Sequence, residues 1–192
     1  MAARLILSGG IGSGKSTAAN FLSEFGAVVF SSDEFARRVL APGTEATRLV
    51  LERWPETADD GVIDRALLGR LVFSDADRLA ELEQIVHPYT RRSLAEAIDR
   101  VPAADIVVEM PILRDWFENW TVVVVDADDA LRLRRAAARP DQMAEADIRA
   151  VMERQPRRAE WLLAADFVID NGGDVADLEL ECRAVWDRVT SL

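Results

Sequence analysis

The sequence predicts an α/β fold in which a parallel sheet carries helices on both faces. Five short apolar runs, at residues 4–8, 27–30, 105–110, 121–125 and 167–170, alternate with segments of helical periodicity. The runs are apolar throughout instead of alternating with polar residues, which is the pattern of strands buried on both faces. A glycine-rich stretch directly after the first run marks a strand-to-helix turn.

That turn reads Gly9-Gly10-Ile11-Gly12-Ser13-Gly14-Lys15-Ser16-Thr17, and its spacing is that of a phosphate-binding loop: a glycine, four free positions, then Gly-Lys-Ser. Residues 16–22 have helical spacing, so backbone amides of the loop and the first helical turn converge on one anion site. Lys15 is the only lysine, and the other 22 basic residues are all arginine. A compact ammonium reaches the terminal phosphates there, and the Ser16 hydroxyl is placed to ligate magnesium.

The second strand pattern, 27–30, leads to Ser31-Ser32-Asp33-Glu34. Asp33 is the first acid after the loop at a strand end, suited to accept or orient the proton of an attacking hydroxyl. The same residues also read as a helix start, with Ser31 as N-cap and Glu34 three positions on. Residues 44–101 hold four helical patterns, 44–54, 64–73, 75–86 and 88–101, and no strand pattern, with Pro88 breaking the last two apart. This interval is too long for a simple crossover and reads as a helical insertion for a second substrate. Residues 139–158 open on Arg139-Pro140, continue as a basic helix, and read as a lid. Two further acids end strand patterns: Glu109 and Asp126. Either suits the magnesium side of the site, and the sequence alone does not choose between them; Ala127-Asp128-Asp129 after Asp126 looks more like a helix start.

Composition bounds the function. With 192 residues, 49% of them hydrophobic and 30% charged, the chain suits one well-buried domain with insertions. A formal charge of −11 argues against a general nucleic-acid binder. Residues 132–158 nevertheless carry eight arginines against four acids, a candidate clamp for a polyanion or else a helical face with internal ion pairs. No apolar stretch approaches the roughly 20 residues of a membrane span, and nothing suggests export. The single Cys182 cannot form an internal disulfide, which suits a reducing cytoplasm, and it reads as a small buried hydrophobe. One histidine, His87, and one cysteine far from it argue against a zinc-type site.

Taken together, these motifs resemble the dephospho-CoA kinase family. The resemblance is carried by Gly9 to Thr17, Ser32-Asp33-Glu34-Phe35-Ala36-Arg37, Pro42-Gly43, Val72-Phe73-Ser74-Asp75, Ile85-Val86-His87-Pro88, residues 122–126, and Ala165-Asp166-Phe167-Val168-Ile169-Asp170-Asn171. It runs over nearly the whole chain and implies a three-layer P-loop kinase fold: one domain over 1–192, with a five-stranded parallel sheet, an acceptor-binding helical insertion over about 44–101 and a lid over about 139–158. It implies transfer of the ATP terminal phosphate to the ribose 3′-hydroxyl of dephospho-CoA, with Mg2+. Residues 9–17, Arg139 and Asn171 then bind ATP, with Asn171 near the adenine. Lys15, Asp33 and Arg139 carry catalysis, and Ser16 and Glu109 hold the metal. Ser8, Asp33, His87, Arg91, Pro111 and Arg158 contact the acceptor. The chain is expected to be a monomer or weak homo-oligomer with no nucleic-acid or membrane partner. It departs from the family pattern at Ser31, where an acid is usual, in Pro111-Ile112-Leu113-Arg114-Asp115, and at Pro140 after Arg139. A kinase for another hydroxyl acceptor, such as a nucleoside or sugar, and a non-catalytic nucleotide-binding regulator are the alternatives.

Overall fold

The computed structural model describes residues 2–73, 75–112, 116–139 and 144–191. Expectations that rest on Ser74, on Leu113, Arg114 and Asp115, or on Pro140 and the three residues after it lie outside the described residues. In chain order the strands are β1 (Arg4–Ser8), β2 (Val28–Ser31), β3 (Ala58–Asp59), β4 (Val62–Ile63), β5 (Ile106–Glu109), β6 (Thr121–Asp126) and β7 (Phe167–Asp170). The helices are α1 (Lys15–Glu24), α2 (Ser32–Val39), α3 (Glu45–Arg53), α4 (Arg65–Phe73), α5 (Ala76–Ile98), α6 (Asp129–Ala137), α7 (Glu145–Arg154), α8 (Arg158–Ala164) and α9 (Val175–Thr190).

β1, β2, β5, β6 and β7 form one sheet in the order β2-β5-β1-β6-β7, parallel at every pairing. The chain leaves the central β1 for β2, returns through β5 between them, then continues on the other side of β1 with β6 and β7. The strand order therefore reverses at β1, the place where ligands bind open α/β sheets. Leu5, Leu7, Val107, Val123, Val125 and Ile169 form one apolar face, packed against Ala18, Ala19 and Leu22 of α1 and Leu178, Cys182, Val185 and Trp186 of α9. Ile6, Val108 and Val124 alternate with them and are equally buried, which is why the strands read as continuous apolar runs.

Local chemistry fixes the first crossover. Gly26, at φ 107°, follows the last turn of α1, and the Ala27 N–H bonds the Leu22 carbonyl at 3.0 Å. This glycine-closed helix end turns the chain straight into β2. β2 then runs into α2 with no linker, Ser31 ending the strand and Ser32 opening the helix. The Glu34 carboxylate pairs with Arg38 one turn on. At the other end of the sheet Asp128 caps α6, accepting from the Leu131 N–H at 2.8 Å.

The described chain divides into two compact units, residues 1–31 with 102–192, and residues 32–101. The second has its own core, in which Val50, Trp54, Ile63, Leu68, Val72 and Val86 are buried. Two expectations are corrected in it. The interval 44–101 does contain strands: β3 and β4 form a small antiparallel hairpin across Asp60 and Gly61, at φ 47° and 76°. Positive φ at both turn residues is the type I′ geometry that Asp-Gly favours, and two-residue strands are too short to give a period-2 pattern. Pro88 does not break a helix; it lies inside α5. Val86, Thr90, Leu94 and Ile98 form a buried stripe across it, and that packing carries the helix past the lost N–H. The Gln84 side of the helix is exposed, so water can serve the carbonyl that Pro88 leaves without a donor.

Replacing exposed Pro88 by Ala restores that donor. Helix propensity gains up to about 3 kcal/mol, partly offset by the greater freedom of the unfolded chain, so we expect a net gain of about 1 kcal/mol, read as a higher midpoint in urea unfolding. Burial pushes the Cys182 thiol up to about 12. Its protonated, buried state stabilises the fold fully below the thiol's ordinary value, 9.0, and this contribution fades as pH rises from there toward about 12. The native protein should resist a thiol reagent at about pH 8 and react once unfolded; fast native labelling would contradict the assignment.

Candidate active site

The carboxyl edge of the sheet gathers Ser8, Glu109, Asp126 and Asp170 at the ends of four adjacent strands. Between Ser8 and Lys15 the chain makes the glycine turn, with Gly9, Gly12 and Gly14 at φ 143°, 75° and 96°. Gly14 is the N-cap of α1, and no side chain caps the helix and no acid occupies its first turn. The helix start is thus left to serve an anion through its amides and its dipole. Lys15, the first helical residue, is half-buried; Ser16 and Thr17 are exposed. Buried Ser13 closes the turn through its N–H to the Gly10 carbonyl at 3.1 Å.

Close packing from below requires the glycines. A Cβ on Gly9 would stand 2.5 Å from the Val125 carbonyl oxygen, and one on Gly10 would enter the Arg132 guanidinium. A Cβ on Gly12 would meet the Arg132 backbone, and one on Gly14 the Asn171 side-chain amide. Arg132, from α6, is only 4% exposed. Its Nε donates to the Ile11 carbonyl at 3.1 Å, Nη1 to Asp129 Oδ1 at 2.8 Å and Nη2 to Gln155 Oε1 at 3.3 Å. Gln155 Oε1 also accepts from the Ile11 N–H at 2.8 Å. On the other flank, buried Asn171 donates from Nδ2 to the Ser13 carbonyl at 2.7 Å. Arg135 holds the segment after β7, donating to the Asn171 and Gly173 carbonyls at 2.7 and 2.8 Å.

The two strand-end acids have different partners. Glu109 Oε1 accepts from the Ser16 hydroxyl at 2.9 Å, joining the loop to β5. Asp126, 8% exposed, takes a two-pronged ion pair from Arg158, with Nε to Oδ1 at 2.9 Å and Nη2 to Oδ2 at 2.6 Å. That hydrogen bond and charge raise the Arg158 guanidinium above its ordinary value. Hence Glu109 is the acid beside the loop's hydroxyl, and Asp126 serves an internal pair.

The other residues singled out in the sequence are spread more widely. The Ser8 hydroxyl is fully buried and donates to the Met110 carbonyl at 2.8 Å, pinning the exit of β5, and Pro111 follows it half-buried. Arg139 is exposed just past α6. In the helical unit, Asp33 is exposed in the first turn of α2, while His87 is half-buried and Arg91 exposed on α5. A shallow cavity of about 260 Å3 in that unit is lined by Val39, Thr44, Glu45, Tyr89, Arg92 and Ser93 among others. Of the eight arginines between 132 and 158, Arg132, Arg135, Arg149, Arg157 and Arg158 are engaged within the protein. Four of them are ion-paired and Arg135 is bonded to backbone carbonyls, so the internal-pair reading accounts for half of these cations. Sequence reasoning missed the bracing roles of Arg132, Arg135 and Gln155. The i, i+3 spacing of Asp129 and Arg132 was a signal for the first; nothing local marked Gln155.

A model of the dephospho-CoA kinase family matches residues 4–177. A dephospho-CoA kinase of Streptomyces avermitilis is 41% identical over 190 residues, covering 94% of this chain and 90% of that protein. Among solved structures, TT1252 from Thermus thermophilus superposes with a TM-score of 0.83 at 34% identity, covering 98% and 99% of the two chains. Dephospho-CoA kinase from Campylobacter jejuni shares the fold, with a TM-score of 0.73 at 24% identity over 100% and 98%.

Removing the Asn171 amide leaves the Ser13 carbonyl short of a donor at a buried site. Asn171→Ala should cost about 1–3 kcal/mol of stability. Gly14→Ala should be the worse of the two, because it meets Asn171 and also strains a left-handed residue by about 1–2 kcal/mol. In the Asn171→Ala background the Gly14→Ala penalty should shrink toward the strain alone, and equal penalties in both backgrounds would disprove the collision.

Proposed function

The chain belongs to the dephospho-CoA kinase family, and on that premise we propose how its own residues carry the reaction. It transfers the terminal phosphate of ATP to the ribose 3′-hydroxyl of dephospho-CoA, the last step of coenzyme A synthesis. The observation that carries the site assignment is the Ser16–Glu109 hydrogen bond at the uncapped start of α1. It unites, within 2.9 Å, a hydroxyl and a carboxylate beside a helix terminus suited to phosphate.

In this reading the amides of residues 9–17 hold the ATP phosphates, and Lys15 follows the terminal one through transfer. The buried Ser13 hydroxyl, with no hydrogen-bond partner among the described residues, agrees with a loop whose polar groups a bound ligand or water completes. Asp33 takes the proton of the 3′-hydroxyl as its oxygen bonds to the terminal phosphorus and the bond from that phosphorus to the ADP oxygen breaks. Arg139 opens the lid and neutralises charge from that side. The helical unit, 32–101, takes the acceptor, with His87 and Arg91 on α5 and the 260 Å3 cavity as its available concave surface.

The donor set of Ser16 and Glu109 fits Mg2+, a hard ion that binds through one or two oxygen ligands, substrate phosphates and water. When bound, the ion neutralises charge on the phosphates. No helix among the described residues is long and apolar enough to cross a membrane. A reducing cytoplasm as the site of action is part of the same reading, supported by the lone, buried Cys182.

With dephospho-CoA, ATP and magnesium, Lys15→Ala should lower kcat by about a thousandfold, in line with the loss of a charged transition-state contact. Lys15→Arg should be nearly as impaired, since a planar fork cannot track one phosphate as an ammonium does. Asp33→Asn should lower kcat by about a hundredfold or more while leaving KM for ATP within a few-fold. Coenzyme A formation followed by chromatography reads all three, and near-normal turnover of Asp33→Asn would remove it as the base.

A further inference from the structure

We propose that Gln155 is a positioning residue that sets the phosphate loop through the Ile11 peptide and ties α7 to it. Both polar groups of Ile11 are taken by side chains from the later part of the chain. Its N–H donates to Gln155 Oε1 at 2.8 Å, and its carbonyl accepts from Arg132 Nε at 3.1 Å. The same Gln155 oxygen accepts from Arg132 Nη2 at 3.3 Å, so one side-chain oxygen closes a ring of Ile11, Arg132 and itself. The ring sits against Gly10, where the absent Cβ makes room for the guanidinium.

The backbone explains how Gln155 comes to be there. It is the C-cap of α7, at φ −80° and ψ 158°, and Pro156 follows it. A residue before proline is driven out of the helical region into the extended one. The helix stops at that residue, and its side chain lies on the loop rather than on the α7 surface. α7 is held at its other end by Ile148, which is fully buried. α7 makes up half of the interval read as the lid, so the Gln155 bridge links that helix to the loop read as binding the phosphates.

The consequence is an effect on nucleotide affinity more than on folding. With the acceptor removed, the Gly10–Ile11 peptide keeps only the Ser13 N–H on its carbonyl, so it samples other orientations more readily and nucleotide binding must reorder it. This inference rests on the reading of residues 9–17 as the ATP site. Gln155→Leu keeps the shape without the acceptor, Gln155→Glu keeps the acceptor, and Gln155→Asn, one methylene shorter, withdraws it if the Leu variant does not fold. Calorimetric binding of ADP with magnesium, steady-state kinetics and thermal midpoints are measured on the full-length variants, with Lys15→Ala alongside.

We expect Gln155→Leu or Gln155→Asn to weaken ADP binding and raise KM for ATP about tenfold, the size of one well-made hydrogen bond. We expect kcat within about twofold of wild type, and Gln155→Glu restored to within about twofold. Unchanged ADP binding in the Leu and Asn variants, while Lys15→Ala loses it, would overturn the role of Gln155 alone. Loss of stability with normal binding, or a Glu variant as weak as the Leu variant, would overturn it too. Wild-type ADP binding by Lys15→Ala would instead overturn the assignment of the loop.

Discussion

A guanidinium buried beneath the phosphate loop is the constraint on which the site depends. Arg132 is 4% exposed, and a charge so placed is tolerated only when its donors are matched. It meets the Ile11 carbonyl, Asp129 and Gln155, and these bonds require the loop backbone to approach within contact of α6. Gly10 and Gly12 allow that approach because any side chain would occupy the space of Arg132. Asn171 makes the matching demand on Gly14 from the β7 side. The loop is thus held from two sides by side chains that touch its backbone, which leaves its outer surface and the start of α1 for a ligand.

The same bonds divide the arginines into two groups. Those at 132, 135 and 158 hold loop, strand end and helix together, and those at 149 and 157 pair with Glu145 and Glu160 on their own helices. Such exposed helical pairs contribute a few tenths of a kcal/mol at most. Among the described residues, Arg134, Arg139 and Arg154 are the exposed arginines of this segment that have no ion pair. A local excess of positive charge in sequence was therefore a poor count of the cations that face a polyanion. Lys15 remains the one ammonium at the loop, and the strand-end acid beside it is Glu109 because Asp126 is already satisfied by Arg158.

In the helical unit the differences from the sequence reading have local causes. The Asp60-Gly61 turn was legible as a dipeptide, yet strands of two residues carry no periodicity to read. Pro88 is a helix breaker by propensity, but α5 buries Val86, Thr90, Leu94 and Ile98 in one line, and packing outweighs a single lost hydrogen bond. The motif around Asp33 read both as a helix start and as a catalytic acid. The structure makes it the first turn of α2, and Glu34 turns to Arg38.

By itself the sequence determined the five strands of the parallel sheet, the loop and the family. Buried parallel strands are continuous apolar runs, and the loop is a contiguous stretch whose glycines and single lysine each have a local reason. Tertiary structure alone decided which acid stands beside Ser16, which arginines are structural, and that Gln155 touches the loop. Those choices join residues 93, 121 and 144 positions apart. Contacts at such separations depend on the order in which strands enter the sheet and on where helices dock, and periodicity along the chain carries no record of either.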